Sequence, residues 1–260
     1  MDGTSGITTL LVDLDGTLVG NRTFGMAIDF MRHSYTELRK HAPAWPTLST
    51  LLSINKEYKR PPNGLKNDDR IVELASRKLG MSPAEARKIL KEGVMEIFPR
   101  LQRHFYPMPG AQDFIQWAAG HYPLILATNP VWPEEVIKLR ASWGGIEPGV
   151  FRMITHMRAM SACKPEAIYY REILEINGLS PRECLLVGND MKMDLPATKV
   201  GIRTYIVAQR PEVTELNGTL APSWTGTFPH LKSLLQNGHD QDKTLEHVRT
   251  RSPARSRAAL

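Results

Sequence analysis

The chain has 260 residues, 42% of them hydrophobic and 23% charged, with a formal net charge of +6 and a pI near 9.3. That length suits one large domain or two modest ones, and the absence of any apolar run approaching the roughly 18 residues that span a bilayer excludes a membrane-spanning reading. The opening decapeptide, "MDGTSGITTL", lacks the basic region and apolar stretch of a signal peptide, so the cytoplasm is the expected compartment.

Residues 7 to 12 are β-branched and aliphatic and lie between "TSG" and "DGT", the pattern of a short buried central strand. From about 24 to 106 the spacing becomes helical in "AIDFMRHSYTELRK", "LSTLLSINKEYKR", "DDRIVELASRKLG" and "SPAEARKILKEGVMEIFPRLQRHF". Ser82, Pro83 and Glu85 supply an N-cap, a first-turn proline and a capping box. The stretch "KRPPNGLKNDD" breaks this block with Pro-Pro and Asn-Gly pairs, which mark a loop.

From "YPMPGAQDFIQWAAGHY" onward, helices and strands alternate. A helix at about 110–119 precedes "PLILATN", one over "PEEVIKLRASW" precedes "FRMITHM", and one over "PEAIYYREILEINGL" precedes "ECLLVGND". A short helix, "DLPATKVG", leads to "RTYIVA". Strands joined by helices of this length require right-handed crossovers, so the predicted fold is a doubly wound, mainly parallel α/β sheet with an all-helical insertion after its first strand. The corresponding boundaries are a core of 1–20 and 107–238, an insertion of 21–106, and a basic tail of 239–260.

In an open parallel sheet, ligands bind outside the carboxyl ends of the strands. Those ends carry Asp13 and Asp15, then Thr128 and Asn129, then Lys164, then Asp190 and Asp194. Four carboxylates, one lysine and one hydroxyl would repel one another without a cation, and Mg²⁺ is the usual hard ion where phosphate oxygens complete the coordination.

These residues resemble the motifs of the haloacid dehalogenase-like superfamily, whose first motif is DxDx[TV] after a hydrophobic strand. "DLDGT" at 13–17, Thr128 in "LILATN", Lys164 in "CKPEA" and "GNDMKMD" at 188–194 follow the family order. The resemblance covers residues 7 to about 208 and implies a Rossmann-like phosphatase core with a helical cap.

The resemblance makes Asp13 the nucleophile that forms an aspartyl-phosphate and Asp15 the acid/base. Thr128 and Asn129 would bind phosphoryl oxygens, and Lys164 would neutralise the developing charge. Mg²⁺ would be held by Asp13, the main-chain carbonyl of Asp15, and Asp190. Asp194 either supports the metal through water or orients Lys164, and the sequence leaves both open.

The expected substrate is a small phosphorylated metabolite. Within the insertion, Asn21, Arg22, Lys59, Arg60, Asn63 and Lys66 are candidates to face it, and their charge would suit a second anionic group. A phosphomutase of the same fold and a catalytically silent regulatory protein are the alternatives. The dehalogenase branch lacks the second acid, so Asp15 argues against it.

Cys163 and Cys184 have no CxxC or metal-ligand spacing and read as buried thiols. Part of the positive charge falls in "TRSPARSRAAL", where no aromatic residue accompanies it. Nucleic acid is therefore not the expected partner.

Overall fold

The aliphatic run before Asp13 forms β1 (Thr9–Val12), every residue of which is buried. This computed structural model describes residues 4–208 and 221–238. The basic tail predicted for 239–260 lies outside the described residues. β1 sits between β4 (Leu124–Leu126) and β6 (Cys184–Gly188) and is parallel to both. β5 (Phe151–Ile154) extends one side, and β7 (Arg203–Val207) and β8 (Trp224–Gly226) extend the other, giving the order β5-β4-β1-β6-β7-β8 with every pairing parallel.

Alternation along the strands divides the core into two layers. Leu10, Val12, Leu124, Leu126, Leu185 and Val187 face one side. There they meet α5 (Ala111–Ala119), α6 (Glu134–Trp143) and a closing helix at 228–238 through Phe114, Ile137 and Leu231. Leu11, Ile125 and Leu186 face the other side, against Tyr169, Tyr170 and Ile173 of α7 (Ala167–Asn177). Helices therefore cover both faces, as a parallel sheet of apolar strands requires. This is the doubly wound α/β fold expected from the alternating pattern.

Between β2 (Val19–Asn21) and β3 (Phe105–Pro107) the chain forms α1 (Thr23–Leu38), α2 (Ala44–Tyr58), α3 (Asn67–Leu79) and α4 (Pro83–Ile97). α4 begins as its sequence predicts, with Ser82 Oγ accepting a hydrogen bond from the amide of Glu85 at 3.2 Å. The two ends of the helical block are joined by an antiparallel ladder in which Val19 opposes Pro107 and Asn21 opposes Phe105. Three-residue strands carry too little periodicity to be read from sequence, and this ladder was not anticipated. The loop predicted across residues 59–69 also ends earlier, because α3 starts at Asn67.

Asn67 is completely buried, and its role is to join the helical block to the core. Its amide donates to Met160 O at 2.9 Å, and its side chain donates to Pro130 O at 3.2 Å. Tyr58 adds a hydrogen bond to Val131 O at 3.0 Å. Among the described residues, no helix is long and apolar enough to cross a membrane.

Candidate functional site

Asp13 follows β1 directly, and its amide donates to Val187 O of β6 at 2.9 Å, which fixes the backbone at the carboxyl edge of the sheet. Its side chain is nearly buried. Lys164 Nζ donates to Asp13 Oδ1 at 2.7 Å and to Asp194 Oδ1 at 2.7 Å. Burial drives the Asp13 carboxyl above its ordinary value; Lys164 pulls it down, and the charge of Asp194 pushes it further up. For Lys164, burial favours the neutral amine, but the carboxylates of Asp13 and Asp194 outweigh it and hold the ammonium well above its usual range. Two carboxylates and one ammonium leave this buried trio with a formal charge of −1.

Asp194 begins the short 3₁₀ turn Leu195–Val200, yet its side chain does not cap that turn. It points back instead, where Oδ2 accepts from the amides of Asn189 at 3.0 Å and Asp190 at 2.9 Å. Of the two roles left open by the sequence, the contact present is the one to Lys164. Gly188 is needed at the adjoining position, since a Cβ there would collide with the Asp194 carboxylate.

The turn after Asp13 is equally confined. Gly16 adopts φ +80°, and a Cβ on it would lie 2.5 Å from Asn189 Nδ2. Thr17 Oγ1 lies 3.0 Å from both Asp13 Oδ2 and Asn189 Oδ1. Asp15 is paired with Arg140 of α6. Burial lowers the Arg140 guanidinium to about 10, which leaves it charged at neutral pH.

Thr17, Arg140 and Asn189 were not singled out from the sequence. A signal existed for Arg140, which falls on the same helical stripe as Val136, Ile137 and Ala141, all of them buried. A cation on an apolar stripe needs a partner.

Thr128 follows β4, and its main-chain carbonyl accepts from Thr155 Oγ1 at 2.7 Å and Tyr169 OH at 2.8 Å. Its own hydroxyl is buried and, like Asn129 Oδ1, has no hydrogen-bond partner among the described residues. Buried polar atoms in this state mark places where a ligand can complete the bonding.

Asp190 is exposed, and its Oδ1 accepts from the amides of Lys192 at 2.7 Å and Met193 at 3.1 Å. Among the described residues, no three His, Cys, Asp or Glu side chains are gathered closely enough to hold a metal ion. The donor chemistry of Asp13, the Asp15 carbonyl and Asp190 nevertheless consists of hard oxygens and fits Mg²⁺.

The six candidates in the helical block are scattered. Lys66 Nζ donates to Ala159 O at 2.7 Å, while Arg60 pairs with Glu57. Asn63 accepts from the amide of Leu65, and Asn21 from Thr23 Oγ1. Arg22 is exposed. Of these six, only Lys59 lines the cavity between the helices and the core. Cys163 and Cys184 are both free and buried.

A parallel sheet with helices on both faces and paired carboxylates after its central strand defines an α/β protein with its polar cluster at the strand ends. A family model for haloacid dehalogenase-like hydrolases matches residues 7–200, and the chain belongs to that family. It is a hydrolase by that membership. No curated protein matches the chain.

Solved structures share the fold at low identity. A 2-haloacid dehalogenase from Pseudomonas syringae is 19% identical, with a TM-score of 0.60, covering 89% of this chain and 99% of that one. A predicted phosphoglycolate phosphatase from Haemophilus somnus is 18% identical, with a TM-score of 0.52 and the same coverage. The HAD-hydrolase YfnB from Bacillus subtilis, bound to magnesium, is 16% identical with a TM-score of 0.51, covering 88% and 98%.

Proposed function

We propose that this hydrolase is a Mg²⁺-dependent phosphatase that cleaves a phosphate monoester through an aspartyl-phosphate on Asp13. The observation that carries the reading is the buried cluster of Asp13, Lys164 and Asp194 beside the unpartnered hydroxyl of Thr128. In the first step a carboxylate oxygen of Asp13 bonds to phosphorus, the ester P–O bond breaks, and Asp15, in the fraction protonated despite its pairing with Arg140, gives its proton to the departing oxygen. In the second, Asp15 takes a proton from water, the water oxygen bonds to phosphorus, and the bond to Asp13 breaks to release phosphate.

The other residues have tasks that follow from their positions. Thr128 donates to a phosphoryl oxygen, as do the amide protons of Asn129, and Lys164 keeps Asp13 aimed and offsets developing charge. The trio already carries −1, and a phosphate ester adds more negative charge, so a cation is required. Mg²⁺, held by Asp13, the Asp15 carbonyl and Asp190, would neutralise phosphoryl charge. The helical block between β2 and β3 is the cap, with Asn67 and Tyr58 along its seam.

The neighbouring dehalogenases supply the competing chemistry, and the presence of Asp15 favours phosphoryl transfer. Purified protein with Mg²⁺ is expected to release phosphate from acetyl phosphate and p-nitrophenyl phosphate, with EDTA abolishing the release. Asp13→Asn should be inactive. Chloride release from 2-chloropropionate without phosphate release from either ester, or normal turnover by Asp13→Asn, would overturn the reading.

A further inference from the structure

Between α1, α2, α4 and the core loops at 129–133 and 157–164 lies a cavity of about 440 Å³, within the range of roughly 300–1,000 Å³ common for small-molecule sites. Its floor includes Asn129 and Lys164, the second of which touches Asp13. Its walls are mainly apolar, with Phe30, Leu51, Ile54, Val94, Ile97 and Trp132 among them. Phe30 and Phe98 both meet Trp132 edge-on, with ring centroids at 5.1 and 4.8 Å, so the aromatic part of the wall is packed in place.

The charged side chains around the cavity are largely occupied with one another. Arg87 is paired with Asp68 and Asp69, Arg158 with Asp68, Lys91 with Glu135, and Glu37 with Lys40. A second anionic group on the substrate, the expectation raised by the basic loop residues, would find only Lys59 outside an ion pair among the described residues that line the cavity. Two buried atoms on lining residues lack partners among the described residues: the hydroxyl of Ser34, on a residue only 7% exposed, and Asn129 Oδ1. The cavity is therefore a mainly apolar chamber, with two unpartnered polar atoms buried in residues that line it, and it adjoins Lys164 beside the proposed nucleophile.

We infer that the cavity receives the leaving group, and that the substrate is the phosphate monoester of an apolar aryl or branched alkyl alcohol carrying a hydrogen-bond donor, rather than a small hydrophilic metabolite. The inference rests on the phosphatase reading above for the phosphate, and on the cavity alone for the apolar body. A glycerol or carboxylate leaving group would gain little from these walls and would set its polar groups against carbon. An aromatic or branched body removes apolar surface from water on both sides. It can also give a proton to Asn129 Oδ1 and exchange a hydrogen bond with Ser34.

The test compares 2-naphthyl phosphate with glycerol phosphate in steady state, and separately measures calorimetric binding of 2-naphthol, which needs no chemistry. The expected results are a kcat/KM at least tenfold higher for the naphthyl ester and saturable binding of 2-naphthol. Val94→Phe, which fills the chamber, should lower the ratio of the two kcat/KM values at least tenfold and weaken naphthol binding to match. Ser34→Ala is the second variant and should shift selectivity among hydroxylated naphthols without unfolding the chain.

Equal or better turnover of glycerol phosphate, with no naphthol binding, would overturn the apolar leaving group and leave the phosphatase intact. Naphthol binding with no phosphate released from any ester would overturn the phosphatase reading instead.

Discussion

Arg140 and Asp15 form an ion pair in which the arginine side chain is 5% exposed and the aspartate 36%. Arg140 also lies 5.6 Å from the centroid of the Phe105 ring, so the guanidinium meets a carboxylate and an aromatic face from the two ends of the helical block, while its buried Nε has no hydrogen-bond partner among the described residues. If Asp15 moves protons as proposed, Arg140 is the positioning residue that aims it. Arg140→Met is expected to lower kcat roughly 10- to 100-fold, in keeping with the general range for acid/base catalysis, while KM changes less than about threefold. Arg140→Lys should recover part of the loss. Because Asp15 can rehydrate, the melting temperature should move by no more than a few degrees, and an unchanged kcat in Arg140→Met would remove the positioning role.

The buried trio predicts an opposition between stability and activity at Asp13. Burial raises its folded carboxyl above the unfolded value, so the stability it contributes is fully present below the ordinary carboxylate range, near 3.9. That contribution is lost as pH rises through the folded value. Asp13→Asn has nothing there to lose. In EDTA its melting temperature should climb relative to wild type as pH rises from 4 through the titration of Asp13, at about 2–4 °C per kcal/mol for a chain of this size. A gap that is constant with pH would disprove the account.

Removing the cation has the opposite sign. Lys164→Met leaves Asp13 and Asp194 facing each other without compensation, a change of the kind that costs about 3–5 kcal/mol. The melting temperature should fall by roughly 10 °C at pH 7 and recover in part when Asp13→Asn is added, giving a coupling measurable as a double-mutant cycle. A drop of under two degrees would show that the trio carries little of the fold's stability. Should the single variant fail to accumulate, restored expression of the double variant reads the same coupling.

The residues of this site differ in how far the sequence reveals them. Asp13, Thr128 and Lys164 were legible because each stands just after an apolar strand or a few residues before a helix, and a parallel sheet gathers such positions at one edge. Asp194 was found, but its direction was not, since a residue before a short turn reads as a cap while only the fold shows Gly188 leaving room for its carboxylate. Arg140 and Asn67 escaped because their partners are 125 and 63–95 residues away. The β2–β3 ladder escaped because its registry depends on the whole helical block closing on itself. The cavity was least legible of all. Its walls come from helices whose apolar residues read simply as packing faces.

Gly16 offers a test of the turn that follows Asp13, the proposed nucleophile. At φ +80° an alanine is strained, and its methyl would press on the Asn189 amide. Gly16→Ala is expected to cost about 1–3 kcal/mol from the backbone and to displace Asn189 from Thr17, which in turn supports Asp13. Activity should fall by at least about tenfold, since a small misplacement of a reacting group is costly. Wild-type kinetics in Gly16→Ala would mean that the turn tolerates more than its packing indicates.

Burial sets the reactivity of the two thiols. It pushes Cys163 up to about 12 and Cys184 up to about 11. At pH 8 the folded protein therefore holds on the order of one part in ten thousand of Cys163 as thiolate and one in a thousand of Cys184, and the thiolate is the reactive species. Incubation with a thiol-reactive chromogenic disulfide should label neither residue over an hour, although Cys163 lines the cavity. Adding guanidinium should release both equivalents within seconds. Rapid native labelling of Cys163 that 2-naphthol blocks would show that its thiol is reached through the cavity and is far more acidic than its burial dictates.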